Sequence, residues 1–136
     1  MNIIYLKSFS KIRGLVHGFS TRSFGSMGSD NPNVDNALNL FSKALGINPR
    51  NVIKMNQVHG KNVSWVNQEH AGQKINQTDG ILAAEKDTYL SVITADCVPV
   101  LIFDKRKKYL GVVHGGWRGI EGEILKVAVS QGRGVF

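Results

Sequence analysis

Three residues of types that ligate transition metals lie where apolar segments of this sequence end. His59 stands in NQVHG, Cys97 follows an apolar run that begins at Tyr89, and His114 follows a run that begins at Leu110. Two imidazoles and one thiolate suit a transition metal, zinc above all, and three protein ligands with one open position are typical of a catalytic zinc site. A metal-free cysteine nucleophile with a histidine base uses the same residue types. Residue types and spacing leave both chemistries open.

The segments around Cys97 and His114 are predicted to form a hairpin. Three runs are rich in β-branched and aromatic residues, which is typical of buried strands: Tyr89–Ile93, Val98–Phe103 and Leu110–Val113. Lys105–Lys108 forms a charged turn between the last two. Such a hairpin brings Cys97 and His114 together.

The segment upstream is predicted to present His59 at a tight turn. Asn51–Val58 and Asn62–Val66 are expected strands on either side of His59-Gly60, so the imidazole is presented without being buried. A further strand is expected over Ile81–Ala84. Asp79, just before it, is expected to face the same site.

Polar and aromatic residues next to the candidate ligands suggest further roles. Asp96 precedes Cys97 and is expected to orient a ligand by accepting a hydrogen bond. In the GGWRG segment after His114, Trp117 offers a stacking surface for a flat ring, and Arg118 offers a partner for an anionic group. We therefore interpret Asp96, Trp117 and Arg118 as substrate-binding residues.

The N-terminal third is predicted to contain one strand, one polar loop and one helix. A strand is expected over Ile12–Ser20, with His17 in a structural role, followed by the loop Thr21–Asn33, whose Arg22 can hold a phosphate or carboxylate. An apolar stripe then predicts an amphipathic helix, capped by Asn33 and ended by a left-handed Gly46: Val34, Leu38, Phe41 and Leu45. At the other end of the chain, residues 120–131 are expected to be helical, and residues 132–136 form no predicted element.

The composition is that of a soluble globular protein. The 136 residues are 42% apolar and 20% charged, enough for one domain with a core. The sequence has no apolar run of about 20 residues, no signal-peptide pattern, and a single cysteine, from which we expect a cytoplasmic protein. Its net charge of +7 is scattered, so we interpret it as solvated surface and not as a nucleic-acid or membrane site.

Four motifs resemble, in order and spacing, the YfiH-like purine nucleoside phosphorylases, a family once described as polyphenol oxidoreductase laccases. They are NQVHG (56–60), TDGIL (78–82), TADCVPVLIFD (94–104) and VVHGGWRG (112–119); HGFSTR (17–22) and the helix at 33–47 resemble the family's N-terminal part. The resemblance implies an α/β (α+β) fold, layered α/β/β/α with mixed sheets. It also implies a zinc ion held by His59, Cys97 and His114, which would be the catalytic residues.

The activities implied by the resemblance are phosphorolysis of adenosine, inosine, guanosine and methylthioadenosine, and hydrolytic deamination of adenosine. The expected partners are a purine nucleoside and phosphate. Arg22 matches the family's arginine in HGFSTR, which supports a phosphate-binding role. Copper, suggested by the older description, is disfavoured because multicopper chemistry needs more than four histidines.

Two departures from the family pattern bear on these expectations. The family's His-Ala-Gly-Trp is His-Gly-Gly-Trp here, a change expected to loosen the backbone slightly. We also interpret residues 1–136 as a single YfiH-like domain that lacks the family's C-terminal portion, and expect exposed sheet edges and self-association from it. The alternatives are a metal-independent Cys–His amide hydrolase and an inactive truncated remnant.

Overall fold

The computed structural model describes residues 1–106 and 108–134, in two compact units. The first unit is Met1–Pro49. It contains an antiparallel strand pair, two α-helices and one 3₁₀ helix: β1 (Ile3–Ile4), α1 (Lys7–Ser10), β2 (Phe19–Ser20), the 3₁₀ helix Arg22–Phe24 and α2 (Val34–Ala44).

Helix α2 lies where the apolar stripe predicts it. The prediction of a strand over Ile12–Ser20 is wrong for most of that range. Gly46 beyond α2 has a φ of 74°, as predicted, but Asn33 makes no side-chain capping bond. Only Phe19–Ser20 are extended in a strand. Residues 12–18 form no strand. Nε2 of His17 accepts a hydrogen bond from the backbone N–H of Leu6 at 2.9 Å, which gives this histidine a structural role.

The second unit begins at Arg50, and its described residues, 50–106 and 108–134, form two sheets and two α-helices. A parallel three-stranded sheet has the order β5-β3-β7, and a mixed four-stranded sheet has the order β4-β6-β9-β8. The elements are β3 (Val52–Met55), β4 (Val63–Trp65), β5 (Lys74–Ile75), β6 (Gly80–Ala83), β7 (Tyr89–Leu90), β8 (Val98–Asp104), β9 (Tyr109–Gly115), α3 (Trp117–Glu121) and α4 (Ile124–Gly134), with a 3₁₀ turn at Gln68–His70. Another 3₁₀ turn, Pro49–Asn51, includes the last residue of the first unit.

Alternating side chains of β6 and β9 supply two apolar cores, one on each face of the four-stranded sheet. Ile81 and Val112 pack with Ile53 of β3, in the core between the two sheets. Leu82 and Val113 point the other way and pack with Ile124 and other residues of α4. Strands with both faces covered are predominantly apolar, as observed here. The second unit is therefore layered sheet on sheet on helix, which agrees with the predicted fold class.

The β8–β9 hairpin forms as predicted, with Val98 paired to Gly115 and Asp104 paired to Tyr109. Of the charged turn at Lys105–Lys108, Lys107 lies outside the described residues. The strands before and after His59 do not pair with each other: β3 joins the three-stranded sheet and β4 joins the four-stranded one.

Two further expectations are corrected in this unit. The helix expected over 120–131 is divided, because Glu123 adopts a left-handed φ of 59° between α3 and α4. Helix α4 then continues to Gly134, through residues for which no element was predicted; Val135 and Phe136 lie outside the described residues. No helix in the described ranges is long and apolar enough to cross a membrane.

Candidate metal centre

His59, Cys97 and His114 come together in the second unit, as the sequence predicts. One ligand atom from each side chain lies within 4.8 Å of the others. The two imidazole rings meet edge to face, with centroids 4.8 Å apart. Bonds from zinc to nitrogen and sulfur are about 2.0–2.3 Å, so small side-chain adjustments bring all three atoms within reach of one ion. The cluster can bind a metal.

The hairpin register explains how Cys97 reaches His114. Because Val98 pairs with Gly115 in the antiparallel ladder, Cys97 lies opposite Gly116 and next to the end of β9. His114, one residue further into β9, is 3% exposed, and Cys97 is half-buried. The half-buried thiol lies outside both apolar cores.

His59 reaches the cluster from a loop with an unusual backbone. Its φ is 60°, in the left-handed region that few residues other than glycine adopt. Its side chain is exposed, as the predicted tight turn requires. Strain of this kind persists only where surrounding contacts hold the loop.

Asp79 supplies those contacts to the His59 loop and also holds the His114 ring. Its Oδ1 accepts the backbone N–H groups of Val58 and Gly60, at 3.1 and 3.0 Å, and its Oδ2 accepts the N–H of His59 at 3.0 Å. Oδ2 also lies 2.7 Å from Nδ1 of His114. The fully buried carboxylate therefore fixes two candidate ligands, which goes beyond the expectation that Asp79 faces the site.

The charge state of Asp79 determines which His114 nitrogen is free. Burial raises the pKa of this carboxyl, but hydrogen bonds from His114, Gly60 and Val58 and the charge of His114 lower it, and the net result is a lowered pKa. An ionised carboxylate only accepts hydrogen bonds, so Nδ1 of His114 carries the proton and donates it. In the neutral form of the ring, Nε2 then has a lone pair for a metal, an arrangement typical of histidine ligands.

Gly116 leaves space between the three ligands. A Cβ added there would lie 3.3 Å from Cδ2 of His59, 3.6 Å from Sγ of Cys97 and 3.6 Å from Cε1 of His114. A methyl group at this position would contact all three side chains of the cluster, most tightly the His59 ring. Sequence reasoning did not identify this role, although GG directly after a candidate ligand is a signal for it.

The departure at Gly115 also has a structural meaning. A Cβ at this position would lie 2.9 Å from the carbonyl oxygen of Val98 and 3.3 Å from Cδ1 of Ile120. The alanine of the family pattern would therefore require β8 to move. In this chain Gly115 permits close approach of β8 and β9 beside Cys97. The sequence alone predicts only a slightly looser backbone at this glycine.

The other predicted site residues of this unit lie at the surface. Trp117 is 68% exposed, and the Arg118 guanidinium carbon lies 4.8 Å from the centroid of its ring. Asp96 is exposed in the segment before β8. Arg22 begins the 3₁₀ helix of the first unit, where it is exposed, and its phosphate-binding role stays a prediction.

The chain belongs to the family described as multi-copper polyphenol oxidoreductase laccase, whose model matches residues 13–135. Among its curated relatives, a purine nucleoside phosphorylase of Streptomyces coelicolor is 35% identical over 105 residues, which is 77% of this chain and 43% of that protein. A purine nucleoside phosphorylase of Mycobacterium bovis is 38% identical over 96 residues, 68% of this chain and 38% of that protein. The chain thus spans less than half the length of these relatives.

Solved structures confirm the fold. YlmD from Geobacillus stearothermophilus is similar with a TM-score of 0.73 and 25% identity, over 82% of this chain and 46% of that chain. Protein NMB0706 of Neisseria meningitidis is similar with a TM-score of 0.65 and 27% identity, over 78% of this chain and 43% of that one. The predicted membership of the YfiH-like group is confirmed.

Proposed function

We propose that this chain carries the metal centre of a zinc-dependent purine nucleoside phosphorylase. The observation that carries the proposal is the convergence of His59, Cys97 and His114, with donor atoms within 4.8 Å of one another. Relatives that are 35% and 38% identical are named purine nucleoside phosphorylases. The proposed substrates are adenosine, inosine, guanosine and methylthioadenosine, with hydrolytic deamination of adenosine as a second reaction.

The donor set favours zinc. Two imidazoles and one thiolate are typical of catalytic zinc sites with an open position, and the exposed His59 leaves one side of the cluster accessible. Multicopper chemistry needs more histidines than the four in this sequence. When bound, zinc supplies Lewis-acid activation at the point where the three ligands converge.

Residues near the ligands in sequence, on either side of them, suit a nucleoside. The segments carrying the cluster have exposed apolar side chains, suitable for a flat base: Val58, Ile93, Val98, Trp117 and Ile120. Arg118 offers a guanidinium for phosphate, and the exposed Asp96 offers acceptors for ribose hydroxyls. In phosphorolysis a phosphate oxygen bonds to C1′, the bond from C1′ to the purine breaks, and the purine takes up a proton.

The test measures zinc content and adenosine turnover, with and without phosphate, in the wild type, Cys97→Ala and His59→Ala. His70→Ala is the matched control, because His70 lies outside the cluster and bonds Asn67 instead. We expect one zinc per chain and phosphate-dependent release of adenine and ribose 1-phosphate, lost in both cluster variants and kept in the control. Inosine and ammonia as products would indicate deamination. A folded wild type without zinc would contradict the proposal.

A metal-independent amide hydrolase is the second candidate. The same distances that suit a metal place the Cys97 thiol beside an imidazole that can act as its base. A chelator separates the two candidates, because a zinc-dependent phosphorylase loses activity with its metal. Amide hydrolysis that survives chelation but not alkylation of Cys97 would favour the hydrolase.

A further inference from the structure

The segment that carries Cys97 is tied to the segment that carries His59 by one side chain. Oε1 of Gln57 accepts the backbone N–H of Ile93 at 2.9 Å, and Nε2 of Gln57 donates to the carbonyl oxygen of Ile93 at 2.7 Å. The side-chain amide of Gln57 therefore bonds both the backbone N–H and the backbone carbonyl of Ile93. Gln57 is two residues from His59, and Ile93 is four residues from Cys97.

This amide continues a strand ladder after the backbone ladder has ended. Strand β7 pairs with β3 through Leu90 and Ile53, and the N–H of Ser91 still bonds the carbonyl of Ile53 at 3.0 Å. The pairing of β3 with β7 covers only Val52–Ile53 and Tyr89–Leu90, and the N–H of Ile93 bonds the Gln57 side chain instead of a backbone carbonyl of β3. The Gln57 side chain replaces the next rung.

Beyond Ile93 the chain has few anchors before Cys97. In residues 1–106 and 108–134, no backbone–backbone hydrogen bond involves Thr94–Cys97. The next fixed point is Val98, which begins β8 opposite Gly115. The position of the thiol is thus set by Gln57 on one side and by the hairpin on the other.

We infer that Gln57 is a positioning residue that holds Cys97 opposite His59 through Ile93. Asp79 fixes the two histidines, and Gln57 provides the corresponding link for the Cys97 side chain. The role deepens the proposed function and rests on its metal centre, but one of its two tests requires no metal.

The test compares Gln57→Met, which keeps the volume and removes both bonds, with Gln57→Glu, which keeps the acceptor and places a carboxylate against the Ile93 carbonyl. Gln73→Glu is the matched control, because the exposed Gln73 amide bonds only locally, to the carbonyl of Glu69. The first measurement is Co²⁺ affinity, which is monitored through the absorption of the thiolate-to-Co²⁺ charge-transfer band. The second is the rate at which iodoacetamide alkylates Cys97, the sole cysteine, in metal-free protein.

We expect both Gln57 variants to bind Co²⁺ about 10-fold more weakly and to be alkylated faster, and the control to match the wild type. If the wild type binds no Co²⁺, the metal centre fails, while faster alkylation of the variants still supports the positioning role. If Gln57→Met does not fold, Gln57→Glu alone carries the comparison. Folded variants with wild-type alkylation rates would overturn the inference.

Discussion

Gly116 faces the sulfur of Cys97, and a Cβ on this glycine would be in contact with Sγ at 3.6 Å. Its φ of −74° and ψ of 161° are accessible to any residue, so the glycine is not required by backbone conformation. What an alanine would change here is the space beside the cluster.

Gly116→Ala is therefore expected to fold normally and to bind metal about 10-fold more weakly, because the methyl group lies 3.3 Å from the His59 ring. Co²⁺ titration measures the affinity and thermal unfolding measures the stability. Gly134→Ala is the control, since a Cβ there has no neighbour within 4 Å. Unchanged affinity in Gly116→Ala would show that the cluster tolerates a larger neighbour.

Asp79→Asn should disrupt the cluster in whichever orientation the new amide adopts. All four groups that contact the carboxylate are N–H donors, two on each oxygen, so an NH₂ group must face two of them. We expect metal affinity to fall about 10–100-fold. Where the NH₂ group faces His114, the ¹⁵N shifts of this histidine in metal-free protein should also show loss of the Nδ1–H tautomer.

The control for this substitution is Asp87→Asn, because Asp87 is exposed and its φ of 56° is one that asparagine tolerates well. It should leave both the affinity and the His114 shifts unchanged. An Asp79→Asn protein with wild-type metal affinity and the wild-type tautomer would refute the proposed role of the carboxylate.

The lowered pKa of Asp79 predicts an acid-sensitive contribution to stability. The unfolded chain binds a proton at about pH 3.9, and the folded protein only at lower pH, so the contribution is full above that range. It is lost as the pH falls through the folded pKa. Urea unfolding of metal-free wild type and Asp79→Asn should show a difference that is constant near pH 7 and shrinks below about pH 4. A difference in unfolding free energy that does not change with pH would contradict this contribution of Asp79.

Gly132 packs directly against the ring of Tyr109, where an added Cβ would overlap the ring atoms. Gly132→Ala is expected to destabilise the protein by about 1–3 kcal/mol, because overpacking outweighs the helix-forming preference of alanine. Gly134→Ala, two residues further along α4, should cause no loss. Chemical unfolding compares the two variants. Equal stabilities would show that the Tyr109 ring can move to accommodate the added methyl group.

Local patterns predicted the parts of the fold that depend on them. The apolar stripe predicted α2, and two apolar runs around a charged turn predicted the β8–β9 hairpin. This hairpin places Cys97 near His114. Pairing of β3 with β5 and β7 was not predictable, because strands of two residues leave little signal and parallel pairing depends on distant segments. The left-handed His59 and the amide of Gln57 depend on tertiary contacts, which no local pattern encodes.

Because β6 and β9 are the central strands of the four-stranded sheet, with cores on both faces, their amides should exchange with solvent last. His114 belongs to β9, whereas His59 and Cys97 lie in loop segments outside the strands, which we expect to open before the sheet does. A bound ion would therefore leave by local opening, without unfolding of the sheet. It would be lost from the two peripheral ligands first, and reloading would begin from the imidazole that had stayed in place.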